Sequence, residues 1–198
     1  MNELIEAFKK FPGIGPRQAK RFVSFLMHTN KAYRNNLIKM ISLIDNTVST
    51  CTECNKTFVG STDINICNTC NKTKDYTSLT IVAYDNDVDV LEKSLVFEGA
   101  YYVLGSYIPL FSENIDDFVD IVLLKNRINN LQSKGLKEII LALNATSDGD
   151  YTVRVIKDYI LKNYTDITVS VLGRGLSTGT ELEYVDNDTL RDALRSRR

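Results

Sequence analysis

The chain has one histidine among 198 residues, His28. A histidine-based hydrolase site is therefore an unpromising reading, and His28, in a basic helical stretch, reads as a packing or surface residue. No run of apolar residues approaches the roughly 18 that a membrane helix needs. There is no low-complexity tract and no internal repeat. The opening Met1-Asn2-Glu3-Leu4-Ile5-Glu6 has no basic segment leading into an apolar one, so an export signal is not expected and a cytoplasmic location is. Cysteine is absent outside one short stretch, 51–70.

That stretch holds the strongest signal. Cys51-x2-Cys54 and Cys67-x2-Cys70 contain all four cysteines, with twelve residues between the pairs. Zinc takes four thiolates in a tetrahedron at about 2.3 Å. A two-residue spacer lets one tight turn aim two sulfurs at one ion, and two such turns leave no position open for water or substrate. The pattern is that of a structural zinc. A disulfide pair would suit an exported protein, and a redox CxxC normally comes singly within a thioredoxin-like unit. Asn55 to Ile66 is polar apart from Phe58, Val59 and Ile64, enough for a short hairpin but not for a core. The metal would replace that core, at about 10–16 kcal/mol in small zinc modules.

A net charge of −1 hides an asymmetry. Residues 1–50 carry Lys9, Lys10, Arg17, Lys20, Arg21, Lys31, Arg34 and Lys39 against Glu3, Glu6 and Asp45, a net +5. The remainder carries 16 basic and 22 acidic residues, a net −6. A basic module on an acidic body points to a polyanion at one end, although a solvated helix face gives the same count.

Periodicity divides the chain. Leu4, Ile5, Phe8 and Phe11 recur at helical spacing, as do Ala19, Phe22, Val23 and Leu26, and then Leu37, Ile41, Ile44 and Val48. From Leu79 the pattern alternates: short apolar runs at 79–84, 101–104, 137–143 and 167–172, and helical stretches at 86–95, 115–131 and 151–162. Such alternation predicts a parallel sheet covered on both faces. A short amphipathic helix is expected over 188–195.

Phe11-Pro12-Gly13-Ile14-Gly15-Pro16-Arg17-Gln18-Ala19-Lys20-Arg21 is the second strong signal. Gly13 and Gly15 permit a sharp turn and close approach of an anion. Pro16 can open a helix whose first N–H groups point at that anion, and Ile14 would tuck between the two helices. Arg17, Lys20 and Arg21 project near the same helix start. The constellation suits a nucleic-acid phosphate contacted without regard to base; an ordinary helix–helix turn is the plainer alternative.

This loop is similar to the helix-hairpin-helix of DNA-binding proteins. Followed by a four-cysteine module and an α/β domain, it resembles the RecR family of bacterial recombination mediators over nearly the whole chain. Leu141 to Asp150 is similar to that family's segment after the central Toprim strand, and Gly175 to Tyr184 to its C-terminal signature. The resemblance implies a multidomain α/β protein. Its parts are a helix-hairpin-helix DNA-binding module (1–50), a four-cysteine zinc module (51–70), a Toprim-like parallel α/β domain (78–172) and a short C-terminal helical segment for oligomerisation (173–198). It also implies a role in recombinational DNA repair with RecO and RecF, and a ring-like homotetramer that encircles DNA.

Toprim enzymes hold magnesium with one glutamate and an Asp-x-Asp, since Mg²⁺ requires oxygen ligands. Ala83, Asn144 and Thr146 stand at those positions, so a degenerate, non-catalytic centre is expected. Relatives usually have an acid at the Ala83 position. Asp148 and Asp150, with Asp85, Asp87 and Asp89 near another strand end, form an acidic rim suited to a basic partner; the resemblance implies RecO. A Toprim nuclease, primase or topoisomerase is the alternative and would need the complete carboxylate set. A zinc-stabilised redox or adaptor protein would not need the glycine–arginine hairpin. Gly173-x-Gly175 lacks a following lysine and is a weak phosphate-loop signal.

Overall fold

The computed structural model describes residues 1–11, 13–60, 64–73, 75–112 and 114–197. It separates into two compact units, Met1–Val48 with Val59–Thr62, and Ser49–Phe58 with Asp63–Arg198.

The first unit holds α1 (Asn2–Lys9), α2 (Pro16–His28) and α3 (Lys31–Thr47). Gly15 is the extended N-cap of α2 and Pro16 takes the first helical position, where a missing N–H costs nothing. The Asn30 side chain caps α3 by accepting from Tyr33 N at 2.8 Å. Phe8 on α1 packs against Phe22 on α2, with centroids 5.7 Å apart, and Ala19 and Val23 are buried. The helical run from Leu37 is shorter than its periodicity predicts. α3 ends at Thr47, and Val48 opens the strand β1 (Val48–Thr50).

β1 pairs with β2 (Thr57–Val59) in a two-stranded ribbon. A hairpin within 55–66 was expected; instead the partner strand lies ahead of Cys51, because the first cysteine pair itself forms the turn. Residues 61–63 of that stretch lie outside the described residues. A short helix, α4 (Asn68–Lys72), follows.

The rest of the second unit alternates. It runs β3 (Ser78–Val82), α5 (Asp85–Ser94), β4 (Ala100–Val103), α6 (Ile121–Gln132), β5 (Glu138–Leu141), α7 (Ser147–Asn163) and β6 (Thr168–Val171), with α8 (Asn187–Arg195) beyond. The four long-range strands form one parallel sheet in the order β4-β3-β5-β6. Leu79 stands opposite both Ala100 and Ile139, and Ile139 opposite Val169. Successive strand residues point to opposite faces. Leu79, Ile81, Ala100 and Tyr102 meet Leu124, Ile128 and Leu131 of α6 and Ile156 and Ile160 of α7. Val82, Tyr101 and Val103 meet Val88 of α5. Both faces are covered, as the alternation predicts.

Two helix starts differ from the periodicity by more than one residue. The helix expected from Ile115 begins at Ile121, because the Asp120 side chain caps it by accepting from Leu123 N at 2.9 Å. The helix expected from Tyr151 begins at Ser147, because Thr146 caps it by accepting from Gly149 N at 3.1 Å. Asp148 and Asp150 therefore belong to the first turn of α7, where the helix dipole favours negative charge. Gly149 is required there, since a Cβ would lie 2.0 Å from the Asn144 carbonyl oxygen.

Candidate metal centre and nucleic-acid interface

The four cysteine sulfurs lie within 4.8 Å of one another. Cys51 Sγ is 3.8 Å from Cys70 Sγ, and Cys54 Sγ is 3.6 Å from Cys67 Sγ. Four ligands at about 2.3 Å in a tetrahedron have edges of about 3.8 Å, so the sulfurs already stand at the corners a metal needs. The contacts run between the two motifs, at distances far beyond a disulfide of about 2.05 Å. Cys51, Cys54 and Cys67 are buried and Cys70 is partly so.

The local backbone is made for thiolates. Cys67 N donates to Cys51 Sγ at 3.3 Å, and Cys70 N to Cys67 Sγ at 3.5 Å. Hydrogen bonding to the charged form favours it. S–H donation from Cys54, then from Cys67 and Cys70, pulls the Cys51 thiol far down. Cys54 and Cys70 are pushed far up, Cys51 being the first cause for both. Four sulfurs in one buried space resist simultaneous ionisation unless a cation sits between them. The cluster can therefore hold a metal ion. Among the described residues it is the one convergence of three or more such side chains.

The helical hairpin presents its residues as the motif predicts, save that Pro12 lies outside the described residues. Gly13 has φ 74°, a conformation that favours glycine. Gly15 is extended, and a Cβ at either glycine would meet nothing within 4 Å, so the surface of the turn is open. Ile14 is half-buried, and its N–H donates to Phe11 O at 3.1 Å. Arg17, Lys20 and Arg21 are exposed on α2, and none forms an ion pair among the described residues. Two of the other cations in this stretch are occupied. Lys9 pairs with Glu6 at 2.8 Å, and Arg34 Nη1 donates to Leu26 O at 3.1 Å and to Thr29 O, closing the C-terminal end of α2. Composition alone does not separate these from the free cations.

At the carboxyl end of the sheet, Ala83 is fully buried. Thr146 is spent on capping α7, and the Asn144 N–H donates to Tyr107 Oη at 3.3 Å. None of the three brings a carboxylate. Asp150 pairs with Arg174, which raises the arginine's already high pKa. Among the described residues Asp148 Oδ1 accepts one long side-chain bond, from Leu110 N at 3.4 Å. Asp85 accepts from Thr57 N at 3.0 Å, and Asp89 pairs with Lys56. Sequence reading missed one further element, the part-buried ion pair between Glu53, inside the first cysteine turn, and Arg127 of α6. Its signal was a charged residue inside the apolar stripe Leu124, Ile128, Leu131.

Comparison with known proteins agrees with these features. Residues 1–43 match the family model described as RecR, helix-hairpin-helix. Proteins named recombination protein RecR are similar over the full length. That of Orientia tsutsugamushi (strain Ikeda) is 34% identical, covering 100% of this chain and 94% of the relative. That of Chloroherpeton thalassium is 35% identical, over 98% and 94%. That of Chlamydia trachomatis serovar D is 32% identical, over 100% and 95%.

Proposed function

We propose, from the premise that this chain belongs to the RecR family of recombination proteins, that it is a DNA-binding mediator of recombinational repair that performs no chemistry on the strand. The observation that carries this reading is the open Gly13–Gly15 turn at the start of α2, with three exposed cations beside it that form no ion pair among the described residues. The first N–H groups of a helix have no intrahelical acceptor and donate readily to phosphate oxygens. Arg17, Lys20 and Arg21 supply the charge. Residues 1–50 bind DNA, 51–70 hold the metal, 78–172 form the Toprim-like domain and 173–198 serve assembly.

The metal is zinc, held by Cys51, Cys54, Cys67 and Cys70. The all-sulfur donor set and the tetrahedral separations support it. Zinc there supplies folding energy and no reactive position. Asp148 and Asp150 dock a basic partner, the part RecO plays in the family, with RecF acting in the same process. The site of action is the cytoplasm; no helix of the described residues is long and apolar enough to cross a membrane.

Magnesium-dependent phosphoryl chemistry needs carboxylates to place the ion against the scissile phosphate. With Ala83, Asn144 and Thr146 in place, purified protein should show no magnesium-dependent nicking, relaxation or primer synthesis. An activity that co-purifies with the chain and disappears in Asp148→Asn overturns the non-catalytic reading.

A single hairpin makes few phosphate contacts, so several on one tetrameric ring would bind through effective concentration. The tail offers apolar material for assembly: Leu182, Tyr184 and Leu194 are exposed, and Leu190 is half-buried on α8. Truncation after Tyr184 should lower both subunit number and DNA affinity and leave metal content unchanged. Full-length protein that stays monomeric by light scattering at tens of micromolar overturns the ring.

A further inference from the structure

The first cysteine knuckle is fastened to the α/β sheet by contacts that metal ligation does not require. β4 is one of the two edge strands of the sheet, and an open edge presents unpaired N–H and C=O groups. The knuckle meets that edge at its last residue, Val103. Val103 N donates to Cys54 O at 2.8 Å, and Asn55 Nδ2 donates to Val103 O at 2.8 Å. Asn55 reaches it from a left-handed backbone with φ 61°, a conformation asparagine tolerates better than most residues.

Three further ties reach two helices. Glu53, inside the Cys51-x2-Cys54 turn, pairs with Arg127 of α6, whose side chain is 3% exposed. Arg127 Nε has no hydrogen-bond partner, so Glu53 carries the compensation of that buried charge. Just beyond the knuckle, Lys56 pairs with Asp89 and Thr57 N donates to Asp85 Oδ1, both on α5. One seven-residue segment, Cys51 to Thr57, thus holds two cysteines of the cluster and meets the β4 edge, α6 and α5.

We propose that metal occupancy of the four-cysteine centre is thermodynamically linked to closure of the β4 edge and to the set of the acidic α5 start, through Glu53, Asn55 and Arg127. This rests on the reading of the cysteines as metal ligands. The metal fixes the turn from Cys51 to Cys54. That turn alone aims the Cys54 carbonyl and the Asn55 amide at Val103 and the Glu53 carboxylate at Arg127. Linkage is reciprocal: contacts that the metal strengthens must strengthen metal binding by the same factor. Glu53, Asn55 and Arg127 are positioning residues for the centre, although none ligates it. Loss of the metal would also free Lys56 from Asp89 and so change the charge of the acidic rim.

The test uses the full-length chain and zinc alone. Zinc affinity is measured by competition with a chromophoric chelator for wild type, Asn55→Gly, Arg127→Met and Arg127→Lys. Asn55→Gly keeps the left-handed backbone and removes only the amide donor, so it reads the link even if Arg127→Met folds poorly. Asn55→Gly and Arg127→Met should bind zinc about tenfold more weakly, within the roughly 5–150-fold typical of coupled sites; Arg127→Lys should recover part of the loss. Hydrogen exchange supplies the second readout. Chelation should speed exchange at the Val103 amide and leave Ile140, in the central strand β5, protected. Zinc bound with unchanged affinity by all the variants, with Val103 exchange indifferent to chelation, overturns the link. Zinc failing to bind the wild-type chain overturns the metal reading as well.

Discussion

Cys67→Ser should destabilise the protein by more than about 4 kcal/mol, the range in which loss of a metal belongs. Cys67 has two jobs. Its sulfur is one corner of the cluster, and it is the N-cap of α4, accepting from Cys70 N. Serine is itself a preferred N-cap, so the substitution preserves the second job and removes the first. Cys51, Cys54 and Phe58 pack in the same small cluster, which has too little apolar surface to hold itself together. Urea denaturation with zinc present and after chelation measures the effect. Wild type should lose stability on chelation, and Cys67→Ser should be weak in both conditions. A mutant that keeps one metal per chain and the wild-type midpoint contradicts the assignment.

Arg17→Ala combined with Arg21→Ala should weaken duplex DNA binding at least roughly tenfold at low salt and flatten the salt dependence. Each phosphate contact in a duplex contributes about 0.9 to the slope of log K against log salt, so two lost contacts remove about 1.8 per hairpin. Both side chains are exposed and free of ion pairs among the described residues, so the fold should not suffer. Arg34→Ala is the useful contrast. Arg34 is also basic and nearby, but its guanidinium closes the end of α2. That variant should lower the thermal midpoint and barely change the slope. Titration over a salt series, with unfolding curves for each variant, separates the two outcomes. A double variant indistinguishable from wild type over that series rejects the hairpin as the DNA contact.

Much of this protein was determined locally, and so is legible in its sequence. The spacing of Cys51, Cys54, Cys67 and Cys70 specifies a converging cluster, because a two-residue turn leaves its sulfurs little choice of direction. Gly13, Gly15 and Pro16 specify a turn followed by a helix start, because their backbone preferences are strong and act on neighbours. The strands buried on both faces announce a parallel sheet through their nearly continuous apolar runs. The missing carboxylates at Ala83, Asn144 and Thr146 need no coordinates at all.

Tertiary structure decided which of several possible local contacts form and which partners meet from far apart in the chain. Whether a helix begins at Tyr151 or Ser147 turned on the Thr146 cap and on the close approach of Gly149 to Asn144. Periodicity cannot register either. Which cations of the first fifty residues are free turned on Lys9 meeting Glu6 and Arg34 meeting the end of α2. Asp150 and Asp148 look alike in sequence, yet only Asp150 meets Arg174. The join between the cysteine knuckle and the sheet brings Glu53 to Arg127 and Asn55 to Val103, across 74 and 48 positions. Contacts at such separations form only once the sheet has folded, because the chain entropy of bringing their ends together is recovered by the core and not by any local preference.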